Sequence, residues 1–261
     1  MADVFKIVRG REHANYDPSG SDPDYFFGAL RDITSLYMFR TVFAPACGFT
    51  NRVVAIGTDD YIPDPDNDWY VRTRQPADGG VVEDPDVPVM IFNADCPIVV
   101  LNDDLRYRIA VLHAGLRCLV PPARMDKRAD PKDKRSIIQV AFDDFSFNPR
   151  ATSVFVGFGI GPCCYGAEKH REMQDATLDL PIGRATRGLR AGQRSIDLYQ
   201  LITDQLTRLG VPEDKILIDS RCTACAGHYN DITNMCQRSF YSHSQDRGMG
   251  GRNASFAWFS K

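Results

Sequence analysis

Histidine is scarce in this chain: there are five in 261 residues, and none between His13 and His113. No apolar run approaches the roughly 20 residues that a membrane span needs, which excludes a spanning helix. The opening residues, MADVFKIVRGREHAN, contain no apolar signal region, so the cytoplasm is the expected compartment. Basic charge is not in excess either. A net charge of −3 and a pI near 6.0 give no electrostatic reason to bind nucleic acid or an anionic membrane. No internal repeat and no linker composition interrupts the chain, so a single domain over residues 1–261 is expected.

What is present is an ordinary soluble composition, 43% hydrophobic and 25% charged, long enough to bury a sizeable core. Eight cysteines in a cytosolic chain of this size read as thiols or metal ligands rather than as disulfides. The most informative stretch runs from Val89 to Val120. Apolar runs at Val89–Phe92 with Pro97–Leu101, and at Ile109–Leu112, flank a polar turn and predict two neighbouring strands. Such a hairpin would bring Cys96, in Ala94-Asp95-Cys96-Pro97, towards His113, in His113-Ala114-Gly115. A thiolate beside an imidazole is half a transition-metal site, or a nucleophile with its base, or a buried thiol beside a core histidine.

Elsewhere the signals are local. Residues 1–50 are uninformative, His13 reads as a surface residue, and Cys47 sits in no motif. Asn51–Ile56 predicts a short strand. The acidic residues from Asp59 to Asp68 lack the glycine and closing glutamate of an EF-hand, so they read as a solvated loop. Ala77-Asp78-Gly79-Gly80 reads as a turn, and Pro121–Arg135 as a loop. Apolar spacing predicts a helix over Ser136–Phe145 and a second over Ser195–Leu209, capped by Asp197 or Ser195 and ended by Gly210. Strands are expected at Thr152–Val156, Lys215–Asp219 and Arg252–Phe259, with helix and loop over 165–195 and His170 on the surface.

Gly157 to Gly161 carries glycines that permit close backbone approach, but not in the dinucleotide-binding spacing. The adjacent Cys163 and Cys164 read as wall residues. Cys222-Thr223-Ala224-Cys225 resembles half of a four-cysteine zinc site, yet the sequence has no second C-x-x-C, and Cys236 and His228 complete a finger poorly.

Four segments occur in order: Ala94-Asp95-Cys96-Pro97, His113-Ala114-Gly115-Leu116-Arg117, Gly159-Ile160-Gly161-Pro162-Cys163-Cys164-Tyr165, and the ending Cys222-Thr223, Phe240-Tyr241-Ser242-His243, Asp246 and Gly251-Arg252-Asn253-Ala254-Ser255. Together they resemble the YfiH or laccase-domain family, also called multicopper polyphenol oxidase-like or peptidoglycan editing factor proteins. The resemblance spans about residues 78–259, leaving 1–50 as a divergent N-terminal part. It implies a single α/β domain of mixed β-sheets with flanking helices, similar to the catalytic domain of cytotoxic necrotizing factor.

It further implies a purine nucleoside phosphorylase that also deaminates adenosine, with a pocket metal that is zinc or, alternatively, copper. Cys96 and His113 match two of its ligands. The family's remaining histidine, in a Gln-Val-His-Gly segment, has no counterpart here. Alignment on the strand Arg52–Ile56 places Asp59 and Asp60 at that point, so Asp60 is the expected third ligand. Arg117 matches an anion-binding arginine, and His243 and Arg252 fall in the motif that lines the substrate pocket. The family's doubled arginine near the end is Ser244-Gln245 here, and its tryptophan and glycine flanking Arg117 are Leu116 and Cys118. Three functions follow. The first is a metal-dependent nucleoside phosphorylase with Cys96, His113 and Arg117 as its catalytic groups. The second is a metal-free hydrolase, of deamidase or peptidoglycan-editing type, in which Cys96 attacks, His113 is the base and Asp95 or a backbone carbonyl orients the imidazole. The third is a diverged, non-catalytic relative that keeps the fold as a partner-binding or regulatory protein.

Overall fold

The computed structural model describes residues 5–8, 41–45, 47–56, 61–64, 67–120, 135–167, 182–184, 194–230, 235–238, 240, 242, 244 and 252–259. The strands begin with β1 (Phe5–Val8), β2 (Val42–Ala44), β3 (Val53–Ala55), β4 (Tyr61–Asp64), β5 (Asn67–Thr73) and β6 (Gly79–Val82). They continue with β7 (Val89–Asn93), β8 (Ile98–Asp103), β9 (Arg108–His113), β10 (Ser153–Val156), β11 (Ile182–Arg184) and β12 (Arg194–Ile196). The last are β13 (Ile216–Ile218), β14 (Gly227–Asn230), β15 (Met235–Arg238) and β16 (Asn253–Ala257). The α-helices among the described residues are α1 (Leu116–Leu119), α2 (Ile137–Asp144) and α3 (Leu198–Arg208).

Two six-stranded mixed sheets form the frame, in the orders β1-β16-β7-β2-β5-β4 and β13-β10-β8-β9-β6-β3. The hairpin β8–β9 explains why they stack. All six residues of β8 are buried, so this strand has no solvent face. Its side chains alternate between two cores. Val99 and Leu101, with Ala110 and Leu112 of β9, face the helices through Ile137, Ile138, Ala141, Leu198 and Ile202. Ile98 and Val100, with Ile109 and Val111, face the other sheet through Phe43, Val89, Ile91 and Ala257. The layers are therefore sheet, sheet and helices.

Local chemistry fixes the helix ends. Ser136 caps α2 by accepting from the Gln139 amide, and Asp197 caps α3 by accepting from the Tyr199 and Gln200 amides. Gly210, at φ +94°, ends α3 in the left-handed region where a Cβ is disfavoured.

The structure departs from the sequence expectations in several places. Val89–Phe92 and Pro97–Leu101 are not one strand: β7 belongs to the first sheet and β8 to the second. Ala94-Asp95-Cys96 is the bend that crosses between them. The acidic stretch expected as loop contains β4 and β5, which pair antiparallel. Gly79 and Gly80 are strand residues rather than a turn, paired with Leu112 and Val111. In the region 165–195 the described residues include β11, which pairs antiparallel with β12, while the helix expected there falls largely on 168–181 and 185–193, outside the described residues. No helix among the described residues is long and apolar enough to cross a membrane.

Candidate active site

The crossover bend and the end of β9 meet because Ile98, the first residue of β8, pairs with His113, the last of β9. The Ala114 amide then donates to the Pro97 carbonyl at 2.8 Å, fastening the His-Ala-Gly turn to the bend. A Cβ placed on Gly115 would stand 2.8 Å from Cys96 Sγ and 3.6 Å from His113 Cε1. Glycine at this point is what lets thiol and imidazole share one pocket.

His113 is held by Asp78. The Asp78 carboxylate is fully buried and its Oδ1 lies 2.6 Å from His113 Nδ1. Its backbone carbonyl accepts from the His113 amide at 2.7 Å. The other oxygen, Oδ2, accepts from the amides of Gly48 and Thr50 and from the Thr50 hydroxyl at 2.6–3.1 Å. Burial by itself would raise the Asp78 pKa. The hydrogen bond and charge of His113, with the Thr50 and Gly48 amides, override burial and hold the carboxyl below its ordinary range. Burial would likewise lower His113. The sulphurs of Cys96 and Cys47 and hydrogen bonds to Asp78 and Cys118 outweigh it, so His113 lies well above the usual histidine value. Burial, against the bond to His113, pushes the Cys118 thiol up to about 11.

Cys47, Asp78 and His113 place one ligand atom each within 4.8 Å of one another. This Cys/His/Asp cluster could hold a metal ion. Both oxygens of Asp78 are already engaged, however, so Asp78 acts as the partner that orients His113 and fixes its tautomer. The cluster's remaining donors are the His113 imidazole and the Cys47 sulphur, and Cys96 is not among the residues whose ligand atoms lie within 4.8 Å. An imidazole and a thiol are chemistry that a transition metal accepts. Phe49 lies beside the imidazole, with ring centroids 5.5 Å apart, and is 59% exposed.

The outcome for each expected site residue is mixed. Cys96 and His113 come together as expected. Arg117 is exposed on α1, one turn beyond His113. Arg252 is half-buried and immediately precedes Asn253, which pairs with Asn93 beside the bend. Asp60 and His243 lie outside the described residues, as do His13 and His170. Asp95 does not orient the imidazole. Its Oδ1 accepts from Thr223 Oγ1 and Ser242 Oγ at 2.8 and 2.7 Å, and its Oδ2 from the Ser244 amide at 2.7 Å. It therefore ties the C-terminal motif to the bend next to Cys96.

The glycines after β10 serve this same packing. A Cβ on Gly159 would stand 2.6 Å from Pro97 Cγ and 2.7 Å from Pro97 N, so the close approach is to the bend of this chain. Sequence reasoning missed Cys47 and Asp78. Asp78 had one signal, a carboxylate directly before the apolar run of β6. Cys47 had none.

The chain matches the model of the family described as multi-copper polyphenol oxidoreductase laccase over residues 49–260. It is similar to purine nucleoside phosphorylase YlmD of Geobacillus stearothermophilus, 33% identical over 110 residues, which is 41% of this chain and 36% of that protein. The purine nucleoside phosphorylase YlmD of Bacillus subtilis is 26% identical over 191 residues, 72% of this chain and 60% of its own length. The chain thus spans less than two thirds of these relatives. Among solved structures, YlmD from Geobacillus stearothermophilus superposes with a TM-score of 0.68 at 21% identity, covering 95% of this chain and 86% of that one. YfiH of Bacillus licheniformis gives 0.68 at 19% identity, covering 94% and 85%. These likenesses show the shared fold. With most of its length matched, and with Cys96 and His113 converging in one pocket, the chain belongs to the multi-copper polyphenol oxidoreductase laccase family of YfiH-type proteins.

Proposed function

We propose that this protein is a purine nucleoside phosphorylase acting at the Cys96–His113 pocket, with inosine or adenosine and phosphate as substrates. The observation that carries this reading is the buried Asp78 carboxylate on His113 Nδ1. It fixes the tautomer and orientation of the imidazole beside Cys96. The names of the YlmD relatives supply the substrate class.

In phosphorolysis a phosphate oxygen bonds to ribose C1′ as the C1′–N9 bond breaks. The bond's electron pair leaves with the purine, which takes up a proton. Arg117, on the helix that follows His113, would hold phosphate, since a guanidinium can bind two oxygens at once. Arg252 and His243, the latter outside the described residues, are the further substrate contacts that the family motif implies. Phe49, exposed beside His113, offers a flat apolar face for the base. His113 and Cys47 would hold the metal, joined by Cys96 as the family motif implies. When bound, zinc or copper would supply Lewis acidity for the charge on the purine and, in adenosine deamination, for the water that replaces the amino group.

The Asp78–His113 pair also favours a second reading. Asp78, His113 and Cys96 have the roles of orienter, base and nucleophile in a thiol hydrolase that needs neither phosphate nor metal.

Purified protein incubated with inosine, with and without phosphate, tests both. Release of hypoxanthine and ribose 1-phosphate only when phosphate is present supports phosphorolysis. No turnover of inosine or adenosine under either condition overturns it. Metal-independent alkylation of Cys96 by iodoacetamide near neutral pH would then support the thiol hydrolase.

A further inference from the structure

A second cluster lies beside the bend, on turns that pack against Asp95 and Pro97. The turn after β10 carries Cys163 and Cys164, and the turn after β13 carries Cys222 and Cys225. A bridge between Gly159 and Cys222, and a 2.9 Å hydrogen bond from the Thr223 amide to the Gly159 carbonyl, press the two turns together. All four sulphurs then lie within 4.8 Å of one another, and those of Cys163 and Cys225 are 3.6 Å apart. Ligands at the zinc–sulphur distance of about 2.3 Å around a tetrahedron sit about 3.8 Å apart, so the cluster has nearly the required size.

Two further features suit a cation. The Gly161 amide donates to Cys222 Sγ at 3.2 Å. A sulphur receiving an N–H group is one whose negative charge is stabilised. Cys164 and Cys222 are buried while Cys225 is exposed, which leaves a route of entry from solvent.

We propose that Cys163, Cys164, Cys222 and Cys225 form a tetrathiolate site for one zinc ion, separate from the His113 pocket. All four positions are filled by protein, which makes the site a closed, structural one. Binding displaces the protons of whichever thiols carry them, and no electron transfer is involved. The ion staples the turn whose Thr223 donates to Asp95, so it braces the bend that presents Cys96. The consecutive cysteines that read as wall residues thereby become the missing half of the Cys222–Cys225 pair.

The test uses the full chain, purified under reducing conditions from zinc-supplemented culture. His113→Ala should retain one zinc per chain by elemental analysis, and Cys163→Ser and Cys225→Ser should each hold one fewer than wild type. Replacing zinc with cobalt(II) in the His113→Ala protein should give the intense sulphur-to-cobalt charge-transfer bands of a tetrahedral tetrathiolate. Because Cys225 is exposed, its serine variant is not expected to disturb the core, and the cobalt spectrum needs none of the four cysteines changed. Unchanged zinc in both serine variants, absence of those bands, or a wild-type mass lighter by a disulfide's two hydrogens would each overturn the proposal.

Discussion

The Asp78 carboxylate and the His113 imidazole meet 2.6 Å apart in a place nearly closed to solvent. Each holds the other's charge. Removing one partner leaves a buried group unmatched, which is far costlier than removing both. Asp78→Asn should therefore lower stability by about 1–3 kcal/mol in urea unfolding. It should also reduce turnover through loss of the imidazole's orientation, as Asn presents an N–H where Nδ1–H needs an acceptor. Unchanged unfolding and turnover would remove Asp78 from the site.

The same pair sets a pH dependence in chelator-treated protein. Asp78 is held low in the fold, so its stabilisation is present above the unfolded carboxylate value of about 3.9 and is lost as pH falls through its folded value. His113 is held high, so its contribution is complete below the unfolded value of about 6.5 and is lost as pH rises through its folded value. The stability difference between wild type and Asp78→Asn should be largest between about pH 4 and 6.5 and shrink on either side. Melting temperatures across pH check this, and a flat difference contradicts it.

Gly115→Ala separates geometry from stability. The added Cβ would meet Cys96 Sγ, the end of a side chain that can rotate away. Melting should change little while kcat falls, because the displaced thiol no longer faces His113. An unaltered kcat would show that the position of Cys96 is not critical.

Gly159→Ala should behave in the opposite sense. Its Cβ would collide with the backbone nitrogen of Pro97, which cannot turn aside. Overpacking of this kind costs about 1–3 kcal/mol, and urea unfolding would report it directly.

Arg117→Ala should raise the KM for phosphate by roughly 10-fold or more while leaving the KM for the nucleoside nearly unchanged, in keeping with loss of one charge-assisted contact. Steady-state kinetics with each substrate varied in turn would expose any other pattern. Because Arg117 is exposed on α1, its removal should not affect folding.

Much of this molecule was legible in the order of its residues. Ser136 and Asp197 announce the starts of α2 and α3, and Gly210 the end of α3, because capping and helical spacing act over a few residues. The hairpin β8–β9 follows from two apolar runs about a turn, and with it the approach of Cys96 to His113. Sequence alone did not separate β7 from β8, since alternation along a strand is the same in either sheet. Nor did it bring Asp78 to His113, Cys47 to both, or Cys163 and Cys164 to Cys222 and Cys225. Those meetings join residues from distant parts of the chain. They depend on the pairing of β6 with β9 and on the bridge between Gly159 and Cys222. Hydrogen-bonding periods and caps are written locally, whereas the company a thiol or carboxylate keeps is decided by which buried faces pack together.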